Sequence, residues 1–364
     1  MEKKIAVLPG DGIGEEVMAE AIRVLNVVAE TAGHTFNYRH ALVGGAAYDK
    51  FGVHFPDETR AICKDSDAIL FGSVGGPVSD LHLPKWKSCE TASLLSIRKA
   101  FTFNANYRPI KVYPQLADNS PLRREVIEAG VDLLFIRELV GDLYFGEKKT
   151  FTRDGRRVAT DVAEYTEDQI AAVAHVAFKA ARLRRKKVTS VDKANVLEVS
   201  RLWRTVVHEI AAQYPDIELE DMLVDNCAMQ LIQRPSHFDV VLTGNMFGDI
   251  LSDAAAVLPG SLGMLCSASM NSEGFGMFEP PGGSAQDIAG KGIANPIAQI
   301  LSAAMMLRFA FGLDKEAASI ENAVTKAIEA GYRTGDIRGR GDSAGIKSVG
   351  TKEMSDAIIS ALRI

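Results

Sequence analysis

The pattern of apolar and polar residues predicts short buried strands separated by amphipathic helices. Runs rich in β-branched residues favour strands, whereas apolar positions spaced three and four residues apart favour helices. Strands are predicted at residues 4–9, 67–71, 132–139, 187–191 and 238–243. Helices are predicted at residues 15–32, 90–99, 166–187, 197–214, 296–311, 315–330 and 352–364.

The predicted strand at 238–243 leads into Gly244–Asp253, the stretch on which the functional hypothesis depends. In a helix, Asp249 and Asp253 would lie one turn apart on one face. Such a pair costs an isolated helix only about 0.2–0.5 kcal/mol, so water could solvate it. The neighbouring residues are mostly apolar or small, and carboxylate oxygens suit Mg²⁺ or Mn²⁺. The pair is therefore either solvated or a candidate metal site.

Glycine-rich turns follow two of the predicted strands. Gly10–Gly14 approaches a dinucleotide fingerprint, but that motif requires glycine where the chain has Glu15, so a tight turn is the better interpretation. Gly72–Pro77 follows a strand at the end where open α/β sheets bind ligands, which makes it a candidate nucleotide or phosphate contact. The long loop at 279–296 has few side chains to pack, and we interpret it as functional.

Two arginines and a lysine lie in or next to predicted strands. A charged side chain in such a place needs a compensating group or has a function. Arg108 precedes Pro109, which favours an extended conformation at a strand start. Arg137 lies in an otherwise buried strand, so its guanidinium requires a structural carboxylate such as Glu138 or an acidic substrate. Lys193 follows a buried strand and is a candidate general base, although a lone lysine is more often a surface residue.

Residues 146–165 alternate polar and β-branched residues around Asp154-Gly155, a strong signal for a hairpin turn. A hairpin so rich in charge has little reason to fold onto its own core. We therefore expect an arm, which could reach a second subunit.

The composition is that of an ordinary globular protein, with 47% hydrophobic and 24% charged residues over 364 positions, enough for about two domains. A net charge of −6 gives no reason to expect nucleic acid as a partner. The four cysteines are widely spaced, which indicates a reducing compartment. No apolar run reaches the length of a membrane span, so we expect a cytoplasmic protein without membrane contact.

Several separated motifs resemble those of the isocitrate, isopropylmalate and tartrate dehydrogenase family. They are Leu94-Leu-Ser-Ile-Arg-Lys99, Asp192-Lys-Ala-Asn195, Gly244–Asp253 and Gly283–Pro296. The resemblance covers nearly the whole chain. It implies an α/β fold, not a Rossmann fold, in which two domains share a continuous mixed sheet. The first domain would comprise residues 1–103 and 260–364 with the NAD-binding loops, and the second residues 104–259 with the dimer interface, the hairpin arm and the metal aspartates.

The resemblance also implies the cofactor and substrate contacts. NAD would be bound by Gly75, Gly76, Glu90, Gly283, Ser284, Ala285, Asp287, Ile288 and Asn295. The carboxylate of Asp287 suits a ribose 2′-hydroxyl and would repel a 2′-phosphate, which favours NAD over NADP. The malate carboxylates would be held by Arg98, Arg108 and Arg137.

The catalytic roles follow from the same resemblance. Mg²⁺ or Mn²⁺ would lie among Asp225, Asp249 and Asp253, with Asp225 also facing the substrate. Lys193 would assist in deprotonating the substrate hydroxyl, and Tyr144 would help to protonate the carbon after CO₂ leaves. Because family members place the equivalents of Lys193 and Asp225 across a dimer interface, each active site of a homodimer would need two subunits.

The pair Leu94 and Leu95 indicates the substrate. Isocitrate enzymes carry polar residues on this helix, whereas two leucines, with Val196 nearby, would form a surface for an isopropyl group. Burial of the three carbons of the isopropyl group contributes roughly 2 kcal/mol to substrate binding, at ~0.8 kcal/mol per carbon. The implied reaction is the NAD-dependent oxidative decarboxylation of (2R,3S)-3-isopropylmalate to 4-methyl-2-oxopentanoate and CO₂, in leucine biosynthesis. The alternatives are a D-malate or tartrate dehydrogenase and a non-catalytic regulatory subunit.

The nucleotide loop departs from the family pattern at two positions. Gly282 stands where many relatives have histidine, which removes a possible adenine contact. Gln286 stands where proline is usual, and we expect it to loosen the loop. Both departures bear on the affinity for NAD.

Overall fold

The computed structural model describes residues 1–339 and 345–363. The chain divides into two compact units. Unit 1 comprises Met1–Phe101, Tyr113–Pro121 and Pro259–Ile364, and unit 2 comprises Thr102–Val112 and Leu122–Leu258. The segment 113–121, which the division drawn from the sequence assigns to the second domain, belongs to unit 1, where Asn119 donates to the Ile337 carbonyl at 2.9 Å.

The described residues form short strands and helices in alternation through much of the chain. The strands are β1 (Glu2–Gly10), β2 (Thr35–His40), β3 (Ala68–Ser73), β4 (Ala105–Lys111), β5 (Asp132–Glu138), β6 (Lys148–Arg153), β7 (Arg156–Asp161), β8 (Lys187–Asp192), β9 (Glu218–Leu223), β10 (Val240–Thr243), β11 (Ser267–Met270), β12 (Gly276–Glu279), β13 (Tyr332–Arg333) and β14 (Lys347–Ser348). The helices are α1 (Gly14–Ala32), α2 (Gly44–Phe51), α3 (Asp57–Lys64), α4 (Ser96–Ala100), α5 (Arg124–Glu128), α6 (Glu167–Arg182), α7 (Glu198–Ala211), α8 (Val224–Gln233), α9 (Asn245–Ala256), α10 (Ile297–Phe309), α11 (Asp314–Glu329) and α12 (Thr351–Ala361).

The sheet of unit 1 has the strand order β2, β1, β3, β12, β11. β1 pairs in parallel with β2 and β3, β3 pairs in parallel with β12, and β12 pairs antiparallel with β11. Ile5–Leu8 and all of β3 are buried, which explains why these strands appear in the sequence as continuous apolar runs. The turns that follow β1 and β3 therefore begin at the same edge of the sheet.

The sheet of unit 2 has the strand order β4, β5, β10, β8, β9. β4 pairs antiparallel with β5, and the remaining neighbours are parallel. Helices α6 and α7 supply Phe178 and Trp203 to a core that also contains residues of β5, β8 and β10. Because β5, β8, β9 and β10 run in parallel, the segments after them, which include Lys193, Asp225 and the start of α9, begin at one edge.

The fold class predicted from the sequence is confirmed, since helices accompany a large mixed sheet of parallel and antiparallel strands. Gly10–Gly14 forms a tight turn from β1 into α1, with φ of 77° at Gly10 and 60° at Gly12. Within the described residues, no helix combines the length and the apolar character that crossing a bilayer requires. All four cysteines are buried free thiols.

Strands β6 and β7 form the hairpin that Asp154-Gly155 predicts. Asp154 and Gly155 have φ of 52° and 72°, the left-handed values that a two-residue turn of type I′ requires. Most hairpin side chains are exposed. Its contact with a second subunit remains a prediction.

One local expectation was wrong. Arg108 lies in the middle of β4, opposite Phe135, and not at a strand start. The extended preference of a residue before proline is equally satisfied there.

The helix predicted at 90–99 is confirmed. It contains a π-helical turn over Thr91–Leu95 and continues as α4.

Candidate active site

A buried arginine of unit 2 contacts one of the predicted metal aspartates. Arg137, near the end of β5, is 1% exposed, and its Nη1 donates to Oδ1 of Asp249 in α9. Its Nε and Nη2 donate to Oδ1 of Asn245 at 3.2 and 2.8 Å. Glu138, the alternative partner weighed from the sequence, instead accepts two backbone N–H groups of the turn after β5.

A second arginine meets the same helix one turn later. Nη1 of Arg108 lies 2.6 Å from Oδ1 of Asp253 and 2.8 Å from Oγ of Ser252. Its Nη2 lies 3.6 Å from Oδ1 of Asp249, and its Nε donates to Asn106 at 2.8 Å. Two guanidinium groups and two carboxylates therefore converge on one face of α9. The Asp253 side chain is 69% exposed, so its carboxylate remains accessible to a ligand.

The hydroxyl of Tyr144 belongs to this cluster. It donates to Oδ2 of Asp249 at 2.7 Å, and the guanidinium of Arg137 lies 5.7 Å from the ring centroid. Burial, followed by the hydrogen bond to Asp249, raises the pKa of Tyr144 to about 12. The phenol is therefore neutral at physiological pH and is able to donate a proton.

Lys193 and Asp225 form a separate ion pair in unit 2. The Lys193 ammonium donates to Oδ1 of Asp225, and this contact lowers the pKa of the carboxyl group. The described residues contain no cluster of three or more His, Cys, Asp or Glu side chains that could hold a metal ion. A single chain thus brings Asp249 together with Asp253 but does not add Asp225 to them.

A buried network that the sequence analysis missed fixes the start of α9. The Tyr165 hydroxyl donates to Glu138 and accepts the backbone N–H of Asn245 at 2.7 Å. Oδ2 of Asp142 accepts the N–H of Met246 at 3.0 Å. These bonds satisfy N–H groups that the first turn of a helix leaves without partners. The sequence did contain a signal for this network, because Glu138 is a carboxylate inside an otherwise apolar strand. Burial raises the pKa of Glu138, and a buried carboxyl group requires hydrogen-bond donors.

We expect Tyr165→Phe to lower the free energy of unfolding by about 1–3 kcal/mol, because it leaves a buried carboxyl and a helix N–H without their shared partner. Urea unfolding measures the change. Tyr214→Phe is the matched control, since it removes a hydroxyl that contacts the half-buried His175 at 2.9 Å. An equal or smaller loss at Tyr165 would contradict the role assigned to the network.

Unit 1 contains a cavity of about 410 Å³ bordered by residues 74–78, Glu90 and residues 283–287. The cavity brings together the predicted NAD contacts except Ile288 and Asn295, which do not line it. The Asn295 amide is hydrogen-bonded elsewhere in unit 1. A Cβ on Gly75 would point toward Glu90 Oε1, 3.6 Å away, so the glycine leaves room beside that carboxylate.

The Gly10–Gly14 turn is hydrogen-bonded to both of the loops that border this cavity. Oδ2 of the buried Asp11 accepts the N–H of Gly75 at 3.0 Å, and the N–H of Ile13 donates to the Ser284 carbonyl at 2.8 Å. A Cβ on Gly12 would lie 1.9 Å from that carbonyl oxygen, so the close approach requires glycine. The motif is therefore a scaffold for the two loops of the cavity, and Asp11 is a residue that the sequence analysis did not single out.

The third predicted substrate arginine lies in unit 1. Arg98 is 8% exposed, and its Nη2 lies 3.5 Å from Oε1 of Glu279. Its buried Nε has no hydrogen-bond partner among the described residues, so the guanidinium retains donor capacity for an anion. Leu94 and Leu95, in the π-helical turn just before α4, are both half-buried.

The residues present fit both of the groups that the resemblance implies. The cavity of unit 1 is in the size range of small-molecule sites, and its glycines allow a nucleotide to approach the backbone. Asp249 and Asp253 offer the hard oxygen donors that Mg²⁺ and Mn²⁺ prefer. Asp225, the third predicted metal ligand, does not join these two aspartates within the described residues.

Comparisons with known proteins place these observations in one family. The model of the isocitrate/isopropylmalate dehydrogenase family matches residues 4–358. The chain is 56% identical to the 3-isopropylmalate dehydrogenase of Geobacter metallireducens over 360 residues, 99% of each chain. It is 54% identical to that of Aquifex aeolicus over 360 residues, which cover 99% of this chain and 97% of the relative.

Solved structures agree with the sequence relatives. The isocitrate dehydrogenase from Methylococcus capsulatus superimposes with a TM-score of 0.84 at 35% identity and covers 100% of both chains. The family fold expected from the resemblance is thereby confirmed. With a family model that spans nearly all of its residues, the chain belongs to the isocitrate/isopropylmalate dehydrogenase family.

Proposed function

We propose that the protein oxidises (2R,3S)-3-isopropylmalate with NAD and releases CO₂ and 4-methyl-2-oxopentanoate, as a step of leucine biosynthesis. The observation that carries the proposal is the cluster of Arg108, Arg137, Asp249 and Asp253 with Tyr144. Relatives that are 52–56% identical over nearly the full chain are 3-isopropylmalate dehydrogenases.

The arginines would bind the two carboxylates of the substrate. Arg108 and Arg137 are nearly buried and already hold carboxylates, and Arg98 has a buried donor that finds no hydrogen-bond partner within residues 1–339 and 345–363. Guanidinium groups bind planar carboxylates through paired hydrogen bonds, so their positions would fix the orientation of a dicarboxylate. A molecule with one carboxylate would leave part of this charge without compensation.

Asp249 and Asp253, with Asp225 of a second copy, would hold Mg²⁺ or Mn²⁺. The bound ion supplies Lewis-acid polarisation of the substrate oxygens, which favours both the oxidation and the loss of CO₂. During the oxidation at C2, for which NAD would supply the hydride acceptor, an uncharged Lys193 would take up the hydroxyl proton. Once CO₂ has left, the neutral Tyr144 would donate its proton to the carbon atom from which the CO₂ departed.

NAD would occupy the cavity of unit 1. The backbone of Gly75, Gly76 and residues 283–285 would pass close to the nucleotide, and Glu90 borders the same space. Asp287, which also borders the cavity, would accept a hydrogen bond from the ribose 2′-hydroxyl and repel the phosphate of NADP. Ile288 and Asn295 would contact NAD only through a change of the loop.

We further propose a cytoplasmic homodimer whose subunits meet through α8 and α9. Four large apolar side chains on or next to these helices are more than half exposed, namely Met229 and Ile232 of α8, Ile250 of α9, and Val257 just after α9. Exposed apolar side chains of this kind are typical of a subunit interface. In this arrangement Lys193 and Asp225 would serve the partner's active site, which explains why they pair with each other within one chain.

Kinetic comparison of four substrates tests the proposed function. We expect kcat/KM for 3-isopropylmalate to exceed that for D-malate by about 30-fold, the equivalent of roughly 2 kcal/mol from three buried carbons. Tartrate and isocitrate should be poorer still, because each places polar groups against Leu94 and Leu95.

A matched variant shows whether the leucines set this preference. Leu95→Asn should reduce kcat/KM for 3-isopropylmalate but leave that for D-malate within about threefold, because malate lacks the alkyl group that the leucine would contact. A wild-type preference for D-malate or tartrate would overturn the substrate. Activity that appears only after a related subunit is added would support a regulatory chain instead.

A further inference from the structure

The carbonyl oxygen of Gly75 accepts two side-chain hydrogen bonds from the nucleotide loop, residues 282–287. Ser284 Oγ donates at 2.8 Å and Gln286 Nε2 donates at 3.0 Å. We propose that Gln286 is a positioning residue that holds this loop in its NAD-binding conformation before the cofactor arrives. The inference rests on the proposed function of the cavity as the NAD site.

The role is the opposite of the one expected from the sequence. Glutamine in place of the usual proline was expected to loosen the loop, because the backbone gains freedom at that position. The structure instead gives the Gln286 side chain a hydrogen bond to the other loop of the cavity. Proline cannot form this contact, since it has no side-chain donor.

The nucleotide loop needs the hydrogen bond from Gln286 to Gly75, here called the tether, to keep its conformation. Gly282 and Gly283 are exposed, and a Cβ on either would meet open space, so side-chain packing does not hold this end of the loop. Ala285 has φ of 40°, a left-handed value that is unfavourable for a residue with a Cβ. Contacts from neighbouring residues must therefore maintain the observed conformation, and Gln286 and Ser284 supply two of them.

The acceptor of the tether is itself fixed. The N–H of Gly75 donates to the buried Asp11 carboxylate at 3.0 Å, so its peptide group is held in place. The Ser284 carbonyl is held by the N–H of Ile13 at 2.8 Å. Gln286 thus connects the nucleotide loop to a turn whose peptide group is held by Asp11, and its loss would lower the fraction of molecules with a binding-competent loop. The apparent Kd for NAD rises in inverse proportion to that fraction.

Three variants separate the hydrogen bond from the side-chain length. Gln286→Met keeps the length but cannot donate, and Gln286→Glu keeps the shape but presents a carboxylate to a carbonyl oxygen. Gln213→Met changes an exposed glutamine two residues after α7 and is the control for the substitution itself. Hydrogen exchange measured by mass spectrometry without NAD reports on peptides that contain residues 283–288 and Ile13. Calorimetry gives the Kd for NAD, and steady-state kinetics give kcat and KM.

We expect faster exchange at 283–288 and at Ile13 in both Gln286 variants, and an increase in Kd for NAD of about fivefold for Gln286→Met, the equivalent of one neutral hydrogen bond. KM for NAD should rise in parallel, while kcat at saturating NAD stays within about twofold. Gln286→Glu should show the larger increase in Kd, and Gln213→Met should match the wild type.

Unchanged exchange in the Gln286 variants would overturn the tether. Faster exchange with an unchanged Kd would overturn its role in preparing the cavity for NAD. Failure of the proposed function gives a different result, because the wild-type protein would then not bind NAD, while the exchange measured without cofactor would still report on the tether.

Discussion

Asp249→Asn is expected to lower kcat by about a thousandfold or more and to abolish the dependence of activity on added Mg²⁺. The carboxylate accepts hydrogen bonds from Arg137 and Tyr144 and is the proposed metal ligand at the centre of the cluster. Asparagine keeps its size but removes its charge and replaces one acceptor oxygen with a donor. Such a change removes both the metal and the electrostatic stabilisation of the developing charge. Steady-state kinetics on EDTA-dialysed enzyme, titrated with Mg²⁺, measure both effects.

Asp216→Asn provides the matched control for this substitution. Asp216 also pairs with an arginine, Arg182, at 2.7 Å, but on the exposed surface of unit 2 away from α9. We expect wild-type kcat for this variant, because exposed ion pairs contribute only about 0–1 kcal/mol to stability and this one has no catalytic role. Thermal unfolding should remain cooperative in both variants. Full activity of the wild type after EDTA dialysis would refute the metal dependence.

The elements that carry the site could be predicted because local patterns determine them. Fully buried parallel strands appear as apolar runs, and the spacing of Asp249 and Asp253 places them on one helical face without any tertiary information. The hairpin turn at Asp154-Gly155 is equally local, since its left-handed backbone requires these residue types. Motif resemblance then supplied the roles.

The partner of Arg137 could not be predicted from the sequence. Burial of a guanidinium requires a compensating group, but the requirement does not identify which carboxylate supplies it. Glu138, its neighbour in the chain, points to the opposite face of β5, as adjacent residues in a strand do. The actual partner, Asp249, lies 112 positions later and meets Arg137 only because β5 and β10 are adjacent in the sheet.

The same limit explains why the network around Glu138 was missed. Its members, Tyr165 and Asn245, come from a loop and a helix start that no sequence period connects. Asp11 was not predicted for a related reason, because only the glycines beside it belong to the motif compared with the dinucleotide fingerprint. Its function is to hold Gly75 and the start of α2, and this depends on tertiary contacts.

Lys193→Ala is expected to lower kcat by roughly 100- to 10,000-fold, the usual contribution of a general base. Within one chain the lysine pairs with Asp225 and not with the arginine and aspartate cluster around Asp249. If the lysine instead serves the partner subunit, the defect should be complemented by a second inactive variant. Arg98→Ala is suitable, because it removes a substrate-binding group that the other chain would not replace.

An equimolar mixture of Lys193→Ala and Arg98→Ala subunits should recover about a quarter of the wild-type activity after subunit exchange. Random exchange makes about half of the dimers mixed, and each mixed dimer contains one site with both residues intact and one with neither. Mixing Arg98→Ala with Arg108→Ala is the control, since both arginines would act within their own subunit and every site would lack one of them. Native mass spectrometry of differently tagged subunits shows whether mixed dimers form. If they form and remain inactive, each chain uses its own Lys193, and the proposal that Asp225 of a second copy completes the metal site is also wrong.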